Sequence, residues 1–137
     1  MAHEIFVDTS GFYALLVQRD DKHAEATRIL QEAADEQQGF VTTDYVLDET
    51  ATLLVARDCG HLLRDFFDTV FASAACQVEW TDAERFHTVK NFFLKHLDQH
   101  WSYTDCLSFR VMKERRLRDS LIKDAHFEQA GFVALLK

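Results

Sequence analysis

The sequence predicts an α/β domain, a three-layer sandwich whose central, mostly parallel sheet of four to five strands is flanked by helices. Three observations carry that reading. Short apolar runs alternate with longer segments of helical periodicity along nearly the whole chain. The 137 residues are 47% hydrophobic, enough to bury a core and too apolar for a disordered segment. There is no proline, no Gly/Ser-rich linker and no internal repeat, so residues 1–137 are expected to form a single domain.

In chain order, EIFVD (4–8) predicts the first strand, with a helix following from about Ser10. Residues 21–38 carry Ala24, Ala26, Ile29, Leu30, Ala33 and Ala34 among charges, an amphipathic spacing, and Gly39 is expected to stop that helix. GFVTT (39–43) predicts the second strand, and residues 44–57 a helix ending near Gly60. A further helix over 61–73 places Leu62, Leu63, Phe66, Phe67 and Val70 on one side. CQVEW (76–80) predicts the third strand, after which Thr81-Asp82 caps a helix carrying Phe86, Val89, Phe92, Phe93 and Leu97. Ser102 or Thr104 caps the next helix, which runs to about Arg116. SLIK (120–123) and FVALL (132–136) predict the last two strands, joined by a short turn or helical piece.

Composition removes several classes of function. The three cysteines form no C-x-x-C pair and the seven histidines are scattered along the chain, so disulfides and a histidine-based zinc site are not expected. No apolar run approaches the ~20 residues of a membrane span, and the N-terminus lacks the features of a signal peptide, so a cytoplasmic protein is expected. The net charge of −8 is uneven: residues 1–58 hold 12 acids against four bases, whereas residues 110–123 hold six bases against two acids.

In open parallel sheets, ligands bind beyond the C-terminal ends of the strands. Asp8 ends the first strand, Asp124 follows the fourth, and Asp105 stands in the first turn of a helix just after Thr104. Glu49 lies in the helix over 44–57, sharing a face with Tyr45 and Leu53 that is expected to pack inward. Each acid has a structural explanation alone: Asp105 at a helix N-terminus, Asp8 and Asp124 in turns, and Glu49 reaching to solvent from a partly exposed helix face. If they converge, each like-charged pair at ~4 Å costs about 4 kcal/mol at an effective dielectric near 20. Convergence therefore calls for protonation or a divalent cation, and an all-carboxylate set suits Mg²⁺ or Mn²⁺.

The blocks VDTSGFYALL, TTDYVLDETATLL, WSYTDCLSFRVMKERRL and DAHFEQAGFVALL, in that order, resemble the PIN-domain ribonucleases, especially the VapC-type toxins of toxin–antitoxin pairs. The resemblance spans residues 5–136 and matches the family's acids to Asp8, Glu49, Asp105 and Asp124. Ser10 falls where relatives carry a hydroxyl supporting the metal site, and Thr104 directly precedes the third acid. The residues before Asp124 are Ile122-Lys123, where relatives often have a small or hydroxyl residue and an aromatic. The resemblance implies a Mg²⁺- or Mn²⁺-dependent endoribonuclease acting on structured RNA (transfer or ribosomal), a homodimer, and inhibition by an antitoxin protein. The alternative is a noncatalytic PIN-like module that binds RNA or protein. Arg110, Lys113, Arg115, Arg116 and Arg118 are the candidate phosphate contacts, since an acidic site needs positive charge nearby to hold RNA. Trp101 and Tyr103 are candidates for stacking on bases, with core packing or helix entry the favoured explanation.

Overall fold

Strands only two to four residues long gain stability by burying both faces, and the five formed here join in one sheet whose central strands are the buried ones. The computed structural model describes residues 3–137. Its strands are β1 (Ile5–Val7), β2 (Phe40–Thr43), β3 (Cys76–Glu79), β4 (Asp119–Leu121) and β5 (Val133–Ala134). All pairings are parallel, in the order β3-β2-β1-β4-β5. The helices are α1 (Thr9–Leu16), α2 (His23–Asp35), α3 (Asp44–Ala56), α4 (Leu63–Ala72), α5 (Ala83–Lys95), α6 (Tyr103–Glu114) and α7 (Ala125–Gln129). They flank the sheet, giving the three layers expected.

β1 lies in the middle of the sheet and is buried along its whole length, Phe6 pairing with Val41 on one side and Ser120 on the other. Its neighbours use small polar side chains to bind the sheet edge-on. Thr42 Oγ1 donates to the Val7 carbonyl at 2.9 Å, and Ser120 Oγ donates to the Val133 carbonyl at 2.9 Å. Buried hydroxyls are tolerable only when paired in this way. α6 supplies more buried residues than any other helix, Cys106, Leu107, Phe109, Val111 and Met112 among them.

Three helices close without glycine, two of them where a glycine was expected to mark the end. α2 closes through Gln37 at φ 57°, not at Gly39, with the Gln38 N–H donating to the Ala33 carbonyl at 2.8 Å. α3 closes through Asp58 at φ 58°, two residues before Gly60, and α6 through Arg116 at φ 57°. In all three the next N–H reaches back five residues, the bonding of a Schellman turn. The bonding pattern favours the left-handed position strongly enough to hold a side chain there at a cost of about 1–2 kcal/mol. Gln37→Gly is therefore expected to stabilise the protein by about 0.5–1 kcal/mol, read as a rise of a few degrees in thermal melting.

α5 also differs from the expected core helix. It buries only Val89 fully, while Phe86, Phe92, Leu94 and Leu97 beyond its end stay substantially exposed. Arg115, just past α6, spans the sheet: its guanidinium donates to Glu4 at 2.7 Å, Gln77 at 2.7 Å and Glu79 at 2.8 Å. Among the described residues no helix is long and apolar enough to cross a membrane.

Candidate active site

The strand order places one crevice above all others. The chain leaves β1 toward β2 on one side, while β4 and β5 lie on the other, so the topology reverses between β1 and β4. Connections diverge at such a point and leave a cleft at the C-terminal edge. Asp8 follows β1 there, and Asp124 stands three residues beyond β4.

Asp8 occupies the N-cap of α1 with extended backbone, yet its side chain makes no capping hydrogen bond. The residue is only 6% exposed, and its Oδ1 is buried without any partner among the described residues. Burial pushes its carboxyl well above the usual carboxylate range. The charges of Asp105 and Glu49 raise it further and Asp124 adds to them, against a smaller lowering by the Thr9 backbone N–H. Asp8 is thus within electrostatic reach of the other three acids singled out by sequence.

Each of the other three is held differently. Glu49, on α3, accepts a hydrogen bond from Thr9 Oγ1 at 2.5 Å. Its side is more open than the inward face expected: Glu49 is exposed, Tyr45 and Leu53 are half-buried, and Val46, Leu47, Thr50 and Leu54 form the buried stripe. Asp105 sits in a capping box at the start of α6, its backbone N–H donating to Ser102 Oγ at 3.0 Å and its Oδ2 accepting from the Ser102 N–H at 3.3 Å. Ser102, not Thr104, is the cap, and the Thr104 carbonyl accepts from the Ser108 hydroxyl at 3.0 Å. Burial raises the Asp105 carboxyl, the Ser102 and His126 hydrogen bonds oppose this, and Asp124 adds repulsion. Asp124 caps the short α7, with Oδ1 accepting from the His126 N–H at 2.9 Å.

Two residues that sequence reasoning passed over complete the arrangement. His126 Nδ1 lies 3.2 Å from Asp105 Oδ2 and 3.5 Å from Asp124 Oδ1, so one imidazole spans two carboxylates. Its signal was available as the histidine of D-A-H-F. Thr9, rather than Ser10, holds a carboxylate. The Ser10 hydroxyl instead accepts from the Lys123 N–H at 3.2 Å and ties the start of α1 to the loop carrying Asp124. Gly11 lets the two approach, because a Cβ there would collide with the Leu121 carbonyl.

The basic residues divide. α6 runs away from the site, which puts Arg115 about 15 Å along its axis from Asp105. Arg115 is engaged by Glu4, Gln77 and Glu79, and Arg118 by Asp119 at the opposite end of β4. Arg115, Arg116 and Arg118 therefore lie toward the other edge of the sheet, whereas Arg110 and Lys113 stand closer to Asp105. Lys123 is the cation next to Asp124, in a loose exposed pair with Asp21 at 3.6 Å.

Among the described residues no three His, Cys, Asp or Glu side chains are already drawn into a closed metal set. The donor chemistry nevertheless fits a hard divalent ion. All four candidates offer carboxylate oxygens, and the unpartnered Oδ1 of Asp8 is a buried acceptor that a cation would satisfy.

A parallel α/β domain with carboxylates around its switch point is the build of a nuclease-like hydrolase fold rather than of a dinucleotide or zinc protein. The chain belongs to the PIN-domain family, whose profile matches residues 5–133. It is 33% identical over 129 residues to the 23S rRNA-specific endonuclease VapC20 of Mycobacterium tuberculosis (strain H37Rv, and equally strain CDC 1551), covering 94% of this chain and 95% of that protein. Its fold matches the crystal structure of M. tuberculosis VapC20, described as a sarcin–ricin loop cleaving toxin. The TM-score is 0.83 at 30% identity, over 98% of this chain and 100% of that one.

Proposed function

We propose that this protein is a VapC-type endoribonuclease, dependent on Mg²⁺ or Mn²⁺, that cleaves structured RNA as the toxin of a toxin–antitoxin pair. The observation that carries the reading is Asp8, a buried carboxylate with an unpartnered oxygen, facing three further acids at the switch point. The full-length similarity to an rRNA-cleaving relative supports RNA as the substrate class and ribosomal RNA ahead of transfer RNA. Work in the cytoplasm, a homodimer and restraint by an antitoxin protein follow from family membership and belong to the same proposal.

Asp8, Glu49, Asp105 and Asp124 are the residues that hold the ion. A bound divalent cation supplies a water of lowered pKa and neutralises charge developing at the phosphate. The chain's own contribution is to aim the ligands. Thr9 fixes Glu49, Ser102 and His126 both bond Oδ2 of Asp105, and Ser10 holds the loop from which Asp124 projects. Such supporting hydrogen bonds orient ligands before the metal arrives.

The direct test is incubation of purified ribosomal and transfer RNA with the protein. Cleavage is expected with Mg²⁺ or Mn²⁺ and its loss with EDTA, whereas RNA binding without cleavage would leave the noncatalytic module instead. A second expectation follows from the raised carboxyls of Asp8 and Asp105. A carboxyl with a raised folded-state pKa keeps its proton in the fold at pH values where the unfolded chain has lost it, so it contributes stability at low pH that falls away as pH rises through the raised value. A cation reverses that loss. Mg²⁺ or Mn²⁺ at about 100 times its Kd is expected to raise the melting temperature by ~5–10 °C at pH 7.5, and by clearly less near pH 5. Equal shifts at both pH values would contradict the carboxylate set.

A further inference from the structure

Further along α6 from Asp105, between α5, α6 and the turn after α7, lies a cavity of about 330 Å³. Its wall is aromatic on one side and cationic on the other. The Phe92 and Trp101 rings lie parallel, 2° apart in plane with centroids 6.2 Å apart, and the His96 ring lies tilted by 30° against Phe92 with centroids 4.2 Å apart. Phe109 meets Trp101 edge-on at 5.0 Å. Arg110 and Lys113 project from α6 on the same wall.

This cluster is not simply core. Phe92 remains 36% exposed, and the Trp101 indole N–H is buried with no acceptor, so no hydrogen bond of its own fixes that ring. The cations are also uncommitted. Lys113 forms no ion pair among the described residues, its helical neighbours four residues away being Phe109 and Leu117. Arg110 holds only Glu114, an exposed i,i+4 pair that a phosphate can displace at little cost. In a chain of net charge −8, two available cations beside an aromatic shelf match a single-stranded polyanion carrying bases. The distance also fits. Arg110 follows Asp105 by five residues, a rise of about 7.5 Å, roughly two stacked nucleotides.

We propose that this cavity receives one unpaired base of the RNA close to the cut phosphate. The base stacks on Phe92 and Trp101, while Arg110 and Lys113 hold the adjoining phosphates. The inference rests on the endoribonuclease reading and deepens it: the substrate must present an unpaired nucleotide at a set distance from the cut, so a loop is taken and a continuous duplex refused.

The test uses the shortest RNA stem–loop that the wild-type protein cuts, prepared with one abasic site at a time. In Trp80→Phe, Trp101 is the sole tryptophan, and its emission is expected to fall as this RNA binds. One abasic position near the cut should raise KM about ten-fold in the wild type and add little in Phe92→Ala, whose own KM is already raised. Lys113→Gln should lower the salt dependence of binding by about one phosphate contact. Cleavage insensitive to abasic sites at every position, with KM unchanged in Phe92→Ala, overturns the base pocket and leaves the nuclease intact. Dissociation of a dimer by Phe92→Ala in sedimentation, without a change in KM, also overturns it and assigns the surface to a second copy. If the wild type cuts no RNA with Mg²⁺ or Mn²⁺, the nuclease reading fails and takes the pocket with it.

Discussion

Asp8→Asn is expected to reduce RNA cleavage by at least about 100-fold while leaving the protein folded. Removing a hydrogen-bond partner of a metal ligand already costs about 10–100-fold, and the proposed function makes Asp8 a ligand itself. The fold should survive because the substitution keeps the shape and removes a charge that burial and three neighbouring acids oppose. Without added metal at neutral pH, the variant should melt no lower than the wild type. The metal-induced rise in melting temperature should shrink in parallel with activity. Unchanged cleavage in Asp8→Asn, measured as initial rate on the same RNA, would remove Asp8 from the site.

Gly11→Ala is expected to be the most damaging single methyl in the protein. The added Cβ would run into the backbone carbonyl of Leu121, a group that no rotamer change can move aside. Relief requires α1 and β4 to separate, and overpacking of this kind costs about 3 kcal/mol, or roughly 10 °C in melting temperature. The same displacement pulls Asp8, at the start of α1, away from the loop that Ser10 ties to Asp124. Activity should therefore fall further than the loss of folded protein explains. By contrast, Gly60→Ala meets nothing within 4 Å and serves as the control. Equal melting temperatures for the two variants would contradict the packing argument.

Much of the fold was legible because strand and helix periodicities differ and the chain keeps them apart. β1, β2 and β3 lie within the apolar runs that predicted them, and the helices follow the expected order. The ends were less legible. Gln37, Asp58 and Arg116 take left-handed positions usually given to glycine, because backbone hydrogen bonding at a helix end can outweigh the preference of a single side chain. For the candidate site, the residue types Asp8, Glu49, Asp105 and Asp124 could be picked out, but their environments could not. Glu49 was expected on an inward face and is exposed, while Thr9 rather than Ser10 supports a carboxylate. His126 was in plain view in D-A-H-F, yet nothing local says that its ring reaches Asp105, 21 residues earlier.

By itself, the sequence determined the class of fold and the order of its elements, because apolar periodicity and cap residues act over a few neighbours. It also singled out the carboxylates that stand at or follow the strand ends. The tertiary structure alone decided which groups meet. The switch between β1 and β4 joins Asp8 to Asp124, and the path of α6 carries Arg115, Arg116 and Arg118 away from Asp105 while leaving Arg110 and Lys113 nearer to it. Charge is counted along a chain but acts through space, over a few ångströms of poorly screened interior. That is why a buried acid at the end of the first strand has its explanation only in the folded protein.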